Sequence, residues 1–147
     1  MNSSVSIKIR ILLAFTLFII LVGYLSYLVV YKVSFLPNGY DIVSQQKDSV
    51  TVKSFNIIGG EKDFKALSFS ENHLWKIKEL NYEVKRQKDF FWFLFTASSF
   101  SSLLLILKLR KGEKFWRAVW GSRIVFAILF PLFIIVNSLN RIQYLIS

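Results

Sequence analysis

Residues Ile11 to Tyr31, ILLAFTLFIILVGYLSYLVVY, run for 21 positions without a charge. A helix rises about 1.5 Å per residue, so such a run covers about 30 Å, the thickness of a bilayer core. Two further stretches share this character. Phe90 to Leu107, FFWFLFTASSFSSLLLIL, has 18 uncharged residues, and Val119 to Leu139 has 21 with a single charge, Arg123. A soluble core helix shows a polar stripe at every turn, and these stretches do not. They predict an all-α integral membrane protein with three transmembrane helices, at 11–31, 90–107 and 119–139. A secretory signal peptide is the rival reading of the first stretch. Its apolar region would be roughly 7 to 15 residues long and would end at a small-x-small site, whereas here the run continues into Tyr31, Lys32 and Val33.

The charges lie between these stretches. The chain of 147 residues is 54% apolar and carries a net charge of +10, from 19 Lys and Arg against 9 Asp and Glu. Lys8 and Arg10 precede the first stretch within 1–10, and Lys108, Arg110, Lys111, Lys114 and Arg117 fill 108–118. Short basic segments beside spans stay in the cytoplasm. The N-terminus and the 108–118 loop are therefore expected inside, with 32–89 and the tail 140–147 outside. The outer segment, with ten basic and eight acidic residues, is nearly balanced. Its lack of an Asn-x-Ser/Thr sequon favours a bacterial inner membrane. The basic loop is read as an orientation signal that touches anionic lipid, not as a nucleic-acid site. Tyr31, Phe90 to Trp92 and Tyr144 are expected in an outer aromatic belt, with Trp116 and Trp120 in an inner one.

The 32–89 segment is predicted to hold a β-hairpin and an amphipathic helix. Pro37-Asn38-Gly39 is a turn signal, with glycine supplying positive φ. Ser49 to Ile58 alternates around Val50 and Val52, Gly59-Gly60 breaks it, and Asp63 to Phe69 can return as its partner. Ser68 and Glu71 have capping-box spacing. Leu74, Ile77, Leu80 and Val84 then recur at helical steps, and no breaker separates Trp75 from Leu107, so one rod is expected to enter the second span. Glu83–Arg86 and Lys85–Asp89 are spaced to pair along it. The segment is too short for an independent core and is expected to pack on itself, on the membrane surface or on a partner.

Candidate sites are faces for helix packing or a partner. Ala97, Ser98, Ser101 and Ser102 share one side of the second span, and Thr16 and Gly23 align on the first; small residues there allow close approach. These two faces are expected to meet. On the third stretch Trp120, Arg123, Ala127, Pro131, Ser138 and Arg141 fall within about an 80° sector. Pro131 removes a backbone bond, and Arg123 can snorkel to lipid phosphate or face an anionic partner.

Catalytic chemistry has little to stand on. The chain has no cysteine and one histidine, His73, and no metal or cofactor is expected. The Gly59-Gly60-Glu61-Lys62 turn lacks the spacing of a phosphate loop. No acid lies in any predicted span, which argues against a proton-coupled carrier. The expected role is therefore binding rather than catalysis: an accessory or regulatory subunit of a membrane complex, or an immunity-type protein that blocks a toxin in the bilayer. The alternative is a homo-oligomeric channel or small transporter lined by the serine face.

Overall fold

The computed structural model describes residues 2–147 and is mostly helical, with one antiparallel sheet. Helix α1 (Asn2–Tyr27) runs on into a wide π-turn at Leu28–Lys32. Strands β1 (Tyr40–Gln45), β2 (Ser49–Phe55) and β3 (Glu61–Ser68) follow, then a short 3-10 turn at Glu71–His73. Helices α2 (Trp75–Arg110), α3 (Phe115–Ser122) and α4 (Ile124–Ile146) complete the chain. Three helical segments, Ser4–Lys32, Glu71–Arg110 and Ile124–Ile146, are long and apolar enough to cross a membrane.

The expected hairpin is part of a three-stranded meander in the order β1-β2-β3. Its unpredicted member is β1. Tyr40 and Ile42 pack towards the core, but the register shifts between Ile42 and Ser44, leaving Val43 outside the pairing and exposed. A bulge of this kind breaks the two-residue alternation by which a strand is recognised. A second shift, between Ser54 and Phe55, carries the buried series from Val50 and Val52 to Phe55 instead of Ser54. The turn before the sheet also differs in detail. Positive φ falls on Asn38, at 54°, not on Gly39. Gly39 serves close approach instead, since a Cβ there would lie 2.8 Å from that of Leu36.

Helix α2 is the unbroken rod expected, 36 residues long. No capping box starts it. Ser68 remains in β3, neither Ser70 nor Leu74 makes a side-chain cap, and the Ser70 hydroxyl bonds to His73 Nδ1 at 2.9 Å. The Glu83–Arg86 pair forms at 3.5 Å. Lys85 does not take Asp89, which instead accepts a hydrogen bond from the Tyr31 hydroxyl. The neighbouring Lys88 reaches across to Asp41 on β1 at 2.6 Å.

The stretch from Val119 to Leu139 is divided between two helices. Arg123 adopts a left-handed conformation, φ 56° and ψ 22°, which ends α3 and starts α4. Helix α4 then continues to Ile146, past the end of the apolar run, because its last turns bind the sheet side of α2. The two helices are antiparallel: Arg141 bonds to Glu79 and Phe130 packs edge-on against Phe90. Buried residues on the α4 side of α2 include Ile77, Leu80, Val84, Gln87 and Phe91; on α4 they are Pro131, Ile135, Ser138, Ile142 and Leu145. Both series step by alternating threes and fours, the spacing that seats one helix's side chains between those of another at a shallow crossing.

This seam is what the sheet needed. Val50 and Val52 close over Ile77, Leu80, Val84, Ile142 and Leu145, making a core none of the three elements holds alone. A second cluster, Val30, Leu36, Phe55, Phe91 and Ile135, lies nearer the middle of α2 and joins the end of α1 to the same assembly. Each such side chain contributes about 1.5–3 kcal/mol on removal from water.

Candidate helix-packing and partner faces

Helix α1 packs on α2 through one seam. Trp92 Nε1 donates to the Gly23 carbonyl at 2.8 Å, and Phe15 meets Phe100 edge-on with centroids 6.3 Å apart. Gly23 sits over Thr96: a Cβ at position 23 would be 3.9 Å from the Thr96 methyl. The α2 face that receives α1 thus carries Trp92, Thr96 and Phe100, with Ser99 lining a groove beside Val22, Leu25 and Ser26. Ser98 and Ser102 lie on other sides of the helix by the 100° step. The two faces read from the sequence are therefore not brought together. Thr16 is exposed and bonds its hydroxyl to the Leu12 carbonyl at 2.9 Å.

The serine face is taken up elsewhere within the chain. Ser101 is buried, Ala97, Ser98 and Ser102 are half-buried, and α3 packs back along this end of α2. Ala118 and Ser122 are the buried residues of α3, whereas Phe115, Trp116 and Trp120 are exposed. With Lys114 and Arg117 beside those aromatics, α3 has the makeup of a helix lying in a headgroup layer. Gly121 lets Lys108 cross it, because a Cβ there would come within 2.9 Å of Lys108 Nζ. Of the predicted sector on the third stretch, Pro131 and Ser138 are buried, while Trp120, Arg123 and Arg141 are exposed. Arg123 thus stands at a helix junction rather than inside a continuous span.

Several residues that tie the structure together escaped the sequence reading. Gln87 is wholly buried, and its amide both accepts from and donates to the Tyr40 backbone. A signal existed: the series Ile77, Leu80, Val84 continues by three to Gln87. Trp92, assigned to an aromatic belt, is the anchor for α1. Glu79 binds Arg141 through both Nε and Nη2. Glu83 Oε2 and Ser138 Oγ are buried without a hydrogen-bond partner.

Recesses with polar chemistry are modest. One of about 320 Å³ lies between the sheet and the end of α4, lined by Tyr40, Ser54, Lys62, Asp63, Lys65 and Ile146 among others. Lys65 already donates to the Ile146 carbonyl there. Among the described residues no three of His, Cys, Asp and Glu come together to hold a metal ion. Comparison with protein-family models, curated proteins and solved structures finds no match to this chain.

Proposed function

We propose that this chain is a small multi-pass membrane protein that acts by binding, as an accessory or regulatory subunit of a membrane complex or as an immunity-type protein. The observation that carries this reading is the one-sided attachment of α1. Helices α2, α3 and α4 and the sheet pack on one another, whereas α1 is joined along the Phe15–Gly23 side. Its opposite face, Leu13, Leu17, Ile20 and Tyr24, is exposed over its whole length. These residues step by four, three and four, so they form a straight apolar ridge. Helices associate in lipid through such close packing rather than through hydrophobicity. The membrane is proposed to be a bacterial inner membrane, with the N-terminus and the 108–118 loop inside and the sheet outside.

The channel alternative draws less support. It needs the serine face to line a path, and Ser101 is buried within the chain's own packing.

Photo-crosslinking residues at Leu17, Ile20 and Tyr24 test the reading in native membranes. The expected result is one discrete adduct, a partner protein or a second copy, from these positions and none from Phe18 on the α2 side. Adducts to lipid alone at all positions would overturn it. Ion flux through reconstituted vesicles would revive the channel.

A further inference from the structure

The turn between β2 and β3 carries two adjacent isoleucines. Ile57 and Ile58 are 73% and 75% exposed, more than any other large apolar side chain among the described residues. Loop residues of this kind are costly in water, yet the turn holds them out rigidly. Asn56 Oδ1 accepts from the Ile58 N–H at 3.0 Å and from the Gly60 N–H at 2.8 Å. The Asn56 carbonyl accepts from both Gly59 and Asn38. Gly59, at φ +78°, completes the turn.

The position of the turn along the molecule explains the display. Gln45 bonds to Asn81 and Tyr40 to Gln87, so the sheet runs alongside α2 and its Tyr40 end points towards the apolar stretch. The β2–β3 turn lies beyond that end. Gly59 rests on the ring of Phe35, where a Cβ would come within 2.5 Å. The Phe35 ring in turn lies 6.0 Å from that of Phe95. Phe95 is five residues inside the uncharged run that begins at Phe90. Val33, 71% exposed, is two residues from Phe35. Phe35 also forms a wall of the apolar groove, about 330 Å³, that α1 and α2 leave between Val22, Val29 and Ser99. The exposed isoleucines are thus continuous with the membrane-crossing surface, whereas the opposite turn, Gln46-Lys47-Asp48, is polar and points away.

We infer that the β2–β3 turn inserts Ile57 and Ile58 into the near leaflet of the bilayer, so that lipid is their partner. Apolar side chains buried at the headgroup–acyl boundary bind in proportion to the area they remove from water. The insertion fixes the sheet upright on the membrane, with Lys47 at its far end. It rests on the membrane-spanning reading of the three long helices, not on any partner protein.

The chain has no cysteine, so single nitroxide labels can be placed at Ile58, Ile57, Lys47 and Phe133 of the whole chain in phosphatidylcholine–phosphatidylglycerol vesicles. Collision with oxygen and with a water-soluble nickel chelate reads depth. Phe133, exposed on α4, sets the lipid-buried reference and independently checks the span. The expected result is that labels at 57 and 58 favour oxygen, like Phe133, while Lys47 favours the chelate. A label at 58 as accessible to the chelate as Lys47, with Phe133 still in lipid, would overturn the inference and leave the spans intact. Protection of 57 and 58 from both reagents would also overturn it, by pointing to protein as their cover.

Discussion

The side-chain amide of Gln87 stands beside Tyr40 in place of a neighbouring strand: its Oε1 accepts from the Tyr40 N–H at 2.9 Å and its Nε2 donates to the Tyr40 carbonyl. Gln87 is wholly buried and Tyr40 half-buried, and the pair joins the first strand to the central rod. Gln87→Ala leaves the two backbone groups without this partner, at about 1 kcal/mol each. The expected outcome is a lower thermal midpoint in detergent and early proteolysis around β1. Gln87→Ala with unchanged stability would remove the clamp from the account.

A second tie holds α4. Arg141 grips Glu79 through two nitrogens, but both side chains keep partial contact with solvent. Solvent screens such pairs, and their contribution is small. Arg141→Glu should destabilise, and the exchanged pair Arg141→Glu with Glu79→Arg should recover most of the loss. A double-mutant cycle on unfolding measures the coupling; a value near zero would leave the last turns of α4 held by Ile142 and Leu145 alone.

Arg123 is left-handed where glycine or asparagine would be at ease. That conformation costs a typical side chain about 1–2 kcal/mol. Arg123→Gly is therefore expected to be neutral or stabilising by up to about 1 kcal/mol, after glycine's own entropy is set against the relief. Arg123→Ile should destabilise, since branching at Cβ makes the region worse. Thermal unfolding of the two variants side by side decides it, and an isoleucine variant as stable as the parent would mean that α3 and α4 fuse without penalty.

The α1–α2 seam has a graded test at Gly23. An added methyl finds ordinary contact at 3.9 Å from Thr96, so Gly23→Ala should leave the seam closed. Gly23→Leu should separate the helices and break the Trp92 bond. Cysteines at Phe15 and Phe100 report the separation through disulfide yield: near parental for alanine, sharply lower for leucine. Equal yields would mean the helices are held by other contacts.

Orientation is open to labelling with a membrane-impermeant thiol reagent. Cysteine at Lys47 should react from outside intact cells and cysteine at Lys114 only after lysis. The reverse pattern would invert the proposed topology.

The three long helices were legible because a bilayer-length run without charge has few other uses. The rod of α2 was legible for a related reason, the lack of any breaker from Trp75 onward. Strand β1 was hidden by its bulge at Val43 and by polar residues that pair outside the sheet, Asp41 with Lys88 and Gln45 with Asn81. The break at Arg123 had only a weak local sign, the Gly121-Ser122 pair before it, since neither glycine nor proline occupies the position itself; it arises where α3 packs back along α2, with Ala118 and Ser122 buried. The small-residue face at Ser101 is legible from spacing, but not that α3 packs at this end of α2. Spacing tells which residues share a side of one helix and says nothing of which neighbour lies there. Trp92 is of a residue type expected at an interface, yet its indole reaches Gly23.

Helix α2 links everything: α1 on one flank, α4 on another, the sheet near Trp75 and the basic loop beyond Arg110. At 36 residues it is about 54 Å long. Being unbroken, it behaves as a lever. A rotation of about 10° about its midpoint would sweep each end through about 5 Å in opposite directions. A displacement of the strands at one end is thus carried to Lys108 and Arg110 at the other, with no joint along the way to absorb it.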